Sequence, residues 1–116
     1  MQMRRLASLL LLFAIPVHAQ TVHTVKLTII DTNNPAGTVK YNVYRANVAC
    51  STGVTMNLVT LAPISTLIYT DTPGPGTFCY AATAVASNGD ESAKSPTAAA
   101  TIAAPPNAIT ITITVQ

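Results

Sequence analysis

The feature that most constrains this 116-residue chain is an alternation of apolar and polar residues with a period of two. The clearest example, "TVKYNVYR" (residues 38–45), places Val39, Tyr41 and Val43 on one face and Lys40, Asn42 and Tyr44 on the other. Successive side chains of a β-strand point to opposite faces of a sheet, so this pattern predicts half-buried strands. Nowhere does the sequence show a convincing helical stripe.

Further strands are predicted over residues 23–30, 54–61, 65–71, 78–85 and 92–103. Pro and Gly in "TPGPG" (residues 72–76) predict a rigid turn, and the Asn88-Gly89 pair is typical of a β-hairpin. Pro96 indicates an edge position or an irregularity in the last of these strands. Six or seven short strands separated by turns predict an all-β protein, an antiparallel β-sandwich.

The N-terminus, "MQMRRLASLLLLFAIPVHAQ", predicts an export signal over residues 1–19. Arg4 and Arg5 precede an apolar run over residues 6–17, and small residues lead to a cleavage site after Ala19. The run is too short to span a bilayer. We therefore expect a secreted, periplasmic or cell-envelope protein with no membrane span once the signal is removed.

The charges that remain after residue 19 balance each other. Four basic and four acidic side chains stay in the chain: Lys26, Lys40, Arg45, Lys94, Asp31, Asp71, Asp90 and Glu91. A net charge of zero argues against nucleic acid as a partner, because that partner selects a basic surface. A basic membrane-binding patch is unsupported for the same reason.

The segments "VKYNVYR" and "YTDTPGPGTFCYAATAVASNGDES" (residues 69–92) together resemble the fibronectin type III domains of bacterial exported proteins. The resemblance covers residues 23–102 and rests on the order and spacing of its motifs. The matching positions are Tyr41, Val43, Tyr44, Arg45, Tyr69, Thr70, Asp71, Gly76, Thr77, Phe78, Tyr80, Ala84, Val85, Gly89, Glu91 and Ser92. It implies a seven-strand sandwich with sheets ABE and C′CFG in the family's lettering, here over residues 20–103.

Three features depart from the family pattern. Ile29 stands where the family usually has Trp in strand B, and Phe78 stands at the tyrosine-corner position of strand F. Strand A is reduced to residues 20–22, which would leave the outer edge of strand B exposed.

The resemblance also implies a role for the two cysteines. Strands C and F are neighbours in this family, so Cys50 and Cys79 are predicted to form a disulfide on the outer face of their sheet. An exported protein favours oxidation. A reactive thiol pair is the alternative.

Residues 104–116 are interpreted as a Pro-Pro linker followed by an additional strand, "NAITITITVQ". Ile109, Ile111, Ile113 and Val115 fall on one face of this strand. The favoured interpretation is that the strand extends its own sandwich, either as a hairpin onto strand G or in place of strand A. The alternatives are donation to a neighbouring chain as a homo-oligomer contact and the opening strand of a second module.

Residues that would support catalysis are sparse. His23 has no nucleophile motif near it, and Asp90 and Glu91 are adjacent in a hairpin rather than opposed across a cleft. Cys50, Cys79 and His23 would supply at most three of the four ligands that a structural zinc site takes. The sequence therefore predicts a non-enzyme with no metal and no cofactor.

The function that follows is a non-catalytic binding or structural module with an unidentified protein, cell-surface or matrix partner. Its candidate contact residues are Tyr44, Asn88, Gly89 and Asp90. Carbohydrate is a weaker candidate ligand, because Tyr44 alone could stack on a sugar. Two alternatives are a self-assembling surface subunit that uses the C-terminal strand and an accessory fragment of a larger secreted carbohydrate-active enzyme.

Overall fold

A computed structural model describes residues 22–108, 112 and 114 of the chain. Six strands occur in this part: β1 (Val25–Thr28), β2 (Lys40–Ala46), β3 (Asn57–Leu58), β4 (Ile68–Asp71), β5 (Gly76–Val85) and β6 (Ala98–Ile102). They form one antiparallel sheet of β1 and β4 and another in the order β3-β2-β5-β6. The prediction of an all-β fold with antiparallel sheets is confirmed.

The core lies between the two sheets, as the alternating pattern predicts. Val43, Phe78 and Tyr80 are buried at its centre. The side chains packed against them come mainly from the core-facing positions of the strands: Val25, Leu27, Ile29, Val59, Tyr69, Ala100 and Ile102. Burying one large apolar side chain stabilises a fold by about 1.5–3 kcal/mol, so this cluster is what holds the sheets together.

Several strands are shorter than the sequence predicts, and β3 is the clearest case. Only Asn57 and Leu58 pair as a regular strand with β2, although the predicted strand covered residues 54–61. Beyond β3 the contact with β2 continues through single bonds, in which Val59 N–H donates to Val43 O at 2.8 Å and Thr60 Oγ1 accepts from Val43 N–H at 3.3 Å. A threonine side chain thus replaces a regular ladder partner.

The β5–β6 connection is a hairpin at the predicted place, with a different turn. Gly89 N–H donates to Ala86 O at 2.9 Å, and Gly89 has φ of +93°. Asn88 does not have positive φ, whereas a two-residue Asn-Gly turn of type I′ needs positive φ at both central residues. Ser87 and Asn88 are therefore the central residues of the turn, and Gly89 is the left-handed residue that follows it.

Beyond the turn, the returning chain is irregular until β6 begins. Ser92 Oγ and Ser95 Oγ accept hydrogen bonds from Ala84 N–H at 2.9 Å and Ala82 N–H at 3.0 Å. The two hydroxyls occupy positions where a regular strand would offer main-chain carbonyls. The irregularity indicated by Pro96 is thus found in the residues before β6.

Two predictions fall largely outside the described residues. The export signal over residues 1–19 lies outside them entirely, and of residues 107–116 the structure describes Asn107, Ala108, Thr112 and Thr114. Within the described part of the chain, no helix is long and apolar enough to cross a membrane.

Candidate contact surface

Of the candidate contact residues, Tyr44 lies on the outer face of the four-stranded sheet, and Asn88, Gly89 and Asp90 lie at the exposed tip of the β5–β6 hairpin. Tyr44 points outward from β2, where its neighbour across the ladder is Ala81 of β5. Glu91, directly after the hairpin tip, reaches back to Tyr44. We call Tyr44, Asn88, Asp90, Glu91 and Lys94 the Tyr44 surface.

Glu91 organises this surface through its carboxylate. Its Oε2 accepts hydrogen bonds from the Tyr44 hydroxyl and, at 2.5 Å, from Thr83 Oγ1. Because the bonds from Thr83 and Tyr44 stabilise the ionised form, the pKa of Glu91 is lowered. The same bond to Glu91 raises the pKa of Tyr44 above its ordinary value of 10.0, so its hydroxyl keeps its proton at neutral pH.

Lys94 completes the surface by covering the aromatic ring. Its Nζ lies 4.5 Å from the centroid of the Tyr44 ring, a cation–π geometry. The ring face that a sugar would stack on is therefore already in contact with an ammonium group. This contact weakens the case for carbohydrate as the ligand.

The hairpin tip is exposed and organised by its own side chains. Asn88 Oδ1 accepts from Asp90 N–H at 3.0 Å, and Asn88 Nδ2 donates to Asp90 Oδ2 at 3.0 Å. An asparagine that bonds two residues ahead forms an Asx-turn, which holds the loop in one shape. The tip can thus present its polar side chains with little further loss of conformational entropy.

The disulfide lies beside this surface, on the same face of the sheet. Cys50 and Cys79 are bonded, with Cα atoms 5.0 Å apart. Cys79 points away from the core aromatics, as the sequence predicts, yet it is 0% exposed, and its ladder neighbour Ala46 is buried too. The Cys79 end of the bridge is therefore packed, whereas the Cys50 end is half-buried. A disulfide is compatible with an extracellular protein.

A half-buried ion pair links the two sheets. Asp71 Oδ2 of β4 lies 2.7 Å from Arg45 Nη1 of β2 and accepts a 2.7 Å hydrogen bond from the Tyr80 hydroxyl of β5. Burial and the bond to Asp71 raise the pKa of Tyr80 far above its ordinary value. The Arg45 guanidinium also lies 5.7 Å from the centroid of the Phe78 ring. These contacts make Asp71 a cross-sheet connector.

A second carboxylate makes a similar link just beyond β1. Asp31 Oδ2 accepts from the Tyr41 hydroxyl of β2 at 2.7 Å and from Asn34 Nδ2 at 3.0 Å. Asp31 Oδ1 also accepts from the main-chain N–H of Asn33 at 3.0 Å. The bonds from Asn34 and Tyr41 lower the pKa of Asp31 from 3.8 to about 2. Asp31 therefore remains ionised under all but strongly acidic conditions.

These arrangements limit the chemistry of the described residues. Asp31, Asp71 and Glu91 each accept a hydrogen bond from a tyrosine hydroxyl. A general acid or base works best with a pKa near the operating pH, whereas the shifts at Asp31, Glu91 and the partner tyrosines lead away from neutrality. Within the described ranges, no three His, Cys, Asp or Glu side chains are grouped as metal ligands would be.

The sequence predicted Tyr44 and the hairpin tip as contact residues, but it did not predict the contacts of Tyr44 with Glu91 and Lys94. No partner was assigned to Asp71 from the sequence, so its bonds to Arg45 and Tyr80 were missed. A signal was present, because alternation in β2 places Arg45 on the same face as Val43, and a charge on a core face requires a partner. The Glu91–Tyr44 bond joins residues 47 apart, and no local pattern predicts it.

The comparisons with known proteins identify no family: no protein-family model matches the chain, and a search of the curated proteins finds no match.

Proposed function

We propose that this protein is a non-catalytic, exported fibronectin type III-like module that acts through its surface, in contact with a protein, cell-surface or matrix partner. The observation that carries the proposal is the use of its carboxylates. Asp31, Asp71 and Glu91 all serve as acceptors for tyrosine hydroxyls that hold strands or sheets together. Side chains committed to such bonds are poorly suited to proton transfer or nucleophilic attack.

The strand arrangement supports the family assignment within the proposal. The order β3-β2-β5-β6 corresponds to the expected C′CFG sheet, and the β1–β4 pair corresponds to strands B and E. The disulfide supports export, because such bonds persist in oxidising compartments.

The Tyr44 surface is the proposed contact site. It joins a rigid hairpin tip to an aromatic ring whose position is fixed by Glu91 and Lys94. Aromatic residues on a rigid scaffold contribute to binding with a small entropy cost, and the surrounding polar groups supply specificity. A protein surface fits this mixture better than a sugar does, since Lys94 covers the ring.

Binding to the surface of the producing cells, measured with fluorescently labelled protein, tests the proposal. Asn88→Lys together with Asp90→Lys should weaken binding about tenfold or more, because the tip would present cations in place of a neutral amide and an anion. Thr70→Lys, on the exposed face of the other sheet, is the matched control and should bind like the unchanged protein. Equal binding by all three proteins would rule out the Tyr44 surface as the contact site.

The non-catalytic part of the proposal needs its own test. Purified protein should leave polysaccharide, peptide and ester substrates unchanged over long incubation. Turnover that is lost on replacing Glu91 or Asp90 would overturn it.

A further inference from the structure

The edge of β1 that faces away from β4 has no strand beside it in the described part of the chain. Ile29 N–H donates to Leu67 O at 2.7 Å, in register with the β1–β4 pairs. Hydrogen-bonded pairs alternate along an antiparallel ladder, so the main-chain groups of Val25 and Leu27 point toward β4. Those of Lys26 and Thr28 point outward, where they offer N–H and C=O groups to a further strand.

The core is also incompletely covered on this side of the sandwich. Val25, Leu27 and Ile29 face the core but stay half-buried. A mainly apolar groove begins next to the start of β1. Its walls are residues 22–23, the 72–75 turn and residues 102–106.

The sequence contains a segment with the pattern that this edge requires. Residues 107–116 carry Ile109, Ile111, Ile113 and Val115 at alternate positions, with threonines between them and no charge, Gly or Pro. Such a strand would turn its apolar face to the open core and its threonines to solvent. The preceding linker, residues 104–106, lines the groove next to the start of β1 in its own chain, so the segment begins at the same end of the sandwich as the open edge.

Within one chain, the described part of this segment does not use the edge. Thr112 and Thr114 are exposed and belong to no strand. The end of β6 and the start of β1 lie at the same end of the sandwich, so the chain's own segment, reversing after the linker, would run parallel to β1. A second copy can approach antiparallel, and antiparallel pairing is slightly more stable per residue.

We propose that two copies of this chain associate by strand addition, in which residues 107–116 of one copy pair with the free edge of β1 in the other. The interaction leaves the Tyr44 surface uncovered, because that surface lies on the other sheet. It does not rest on the proposed function: self-association and binding to another partner can fail separately.

The first test is sedimentation of the oxidised protein over a wide concentration range, with and without residues 107–116 and with the same N-terminus. The unchanged protein should form oligomers as its concentration rises, and the deletion variant should stay monomeric. Oligomers that survive the deletion would overturn the proposal. A full-length protein that stays monomeric at every concentration would also overturn it. If that monomer also lost Tm when residues 107–116 were deleted, the segment would be closing its own sandwich.

A matched pair of proline variants tests the edge itself. Thr28→Pro removes an outward N–H of β1, whereas Thr101→Pro removes an outward N–H at the exposed edge of β6. The main-chain N–H of Ala82 bonds to Ser95, so the even-numbered residues of β5 direct their main-chain groups toward β6. Their partners in β6 are Ala98, Ala100 and Ile102, which leaves the N–H groups of Ala99 and Thr101 pointing outward. Thr28→Pro should weaken association about tenfold, and Thr101→Pro should not. The reverse result would place the donated strand on β6 and overturn the inference.

Hydrogen exchange gives a readout that needs no variant. The Lys26 and Thr28 amides should become protected as the oligomer forms, and the Ala99 and Thr101 amides should not. Oligomers in which Lys26 and Thr28 continue to exchange rapidly would contradict pairing at β1, even if a proline variant failed to fold.

Discussion

At the scale of single residues, tyrosine–carboxylate bonds are the recurring device of this protein. Tyr41, Tyr44 and Tyr80 bond to Asp31, Glu91 and Asp71, and two of these bonds connect the sheets. A tyrosine ring fills the core while its hydroxyl meets an acceptor near the rim, so one side chain contributes both apolar burial and a directed bond. Such bonds fix how one sheet sits on the other.

Replacing Asp71 by Ala should lower the free energy of unfolding by about 1.5–3 kcal/mol, because Arg45 and Tyr80 would lose their shared, half-buried acceptor. Tyr80→Phe is the matched control and should cost about 1 kcal/mol, since it removes one hydroxyl and keeps the ring. Chemical denaturation measures both. If the Asp71→Ala variant is no less stable than Tyr80→Phe, the cross-sheet role of Asp71 is wrong.

Asp31 should make the fold sensitive to acid. Its pKa is about 2 in the folded protein and 3.8 ordinarily, so the folded state binds fewer protons between these values. The stability it contributes is therefore present above about pH 4 and lost as the pH falls toward 2. Asp31→Asn should flatten the decline in Tm over this range. If Tm declines equally in the unchanged protein and in Asp31→Asn, the acid sensitivity does not come from Asp31.

Removing the Tyr41 hydroxyl gives an independent check on the low pKa of the Asp31 carboxyl. Tyr41→Phe removes one of the bonds that hold the Asp31 pKa down, so NMR titration of the carboxyl should show a pKa above 2 but still below 3.8, because the Asn34 bond remains. A titration curve unchanged by the substitution would show that the Tyr41 bond is not made in solution.

At the scale of elements, the returning half of the β5–β6 hairpin depends on side chains as much as on main chain. Ser92 and Ser95 accept hydrogen bonds from Ala84 and Ala82 in β5. The register of the hairpin differs on either side of them, with Val85 opposite Glu91 and Tyr80 opposite Ala98. Extra residues are thus accommodated without leaving these β5 amides unpaired.

Replacing Ser95 by Ala should remove the acceptor of the Ala82 amide, lower the free energy of unfolding by about 1 kcal/mol and speed hydrogen exchange at Ala82. Ser87→Ala, at the exposed hairpin tip, is the control and should leave that exchange rate unchanged. Equal exchange at Ala82 in both variants would show that the Ser95 hydroxyl is not its acceptor.

At the scale of the whole molecule, the disulfide joins the loop after β2 to the centre of β5. The bridge closes a loop across 29 positions of sequence and so reduces the conformational freedom of the unfolded chain. In a domain of this size, one crosslink is a large share of the net stability. It ties the loop after β2 to β5.

Replacing Cys50 by Ser and Cys79 by Ala should lower the free energy of unfolding by about 3–4 kcal/mol. Position 79 is fully buried, so the variant with Ser at both positions should be less stable still, because it buries a hydroxyl. Denaturation of both variants beside the oxidised protein measures these effects. Equal stability of all three proteins would show that the disulfide does not stabilise the fold.

The sequence by itself determined the all-β class and the faces of β2 and β5 through its period-two pattern, and the position of the hairpin through its turn residues. These are local properties, because side-chain direction and turn chemistry depend on neighbouring residues. Only the tertiary structure decided that Arg45 and Tyr80 share Asp71, that Glu91 reaches Tyr44 and that Cys79 is covered. Those contacts join residues far apart in sequence, and they depend on sheet register and packing, which the chain acquires only when its strands have assembled.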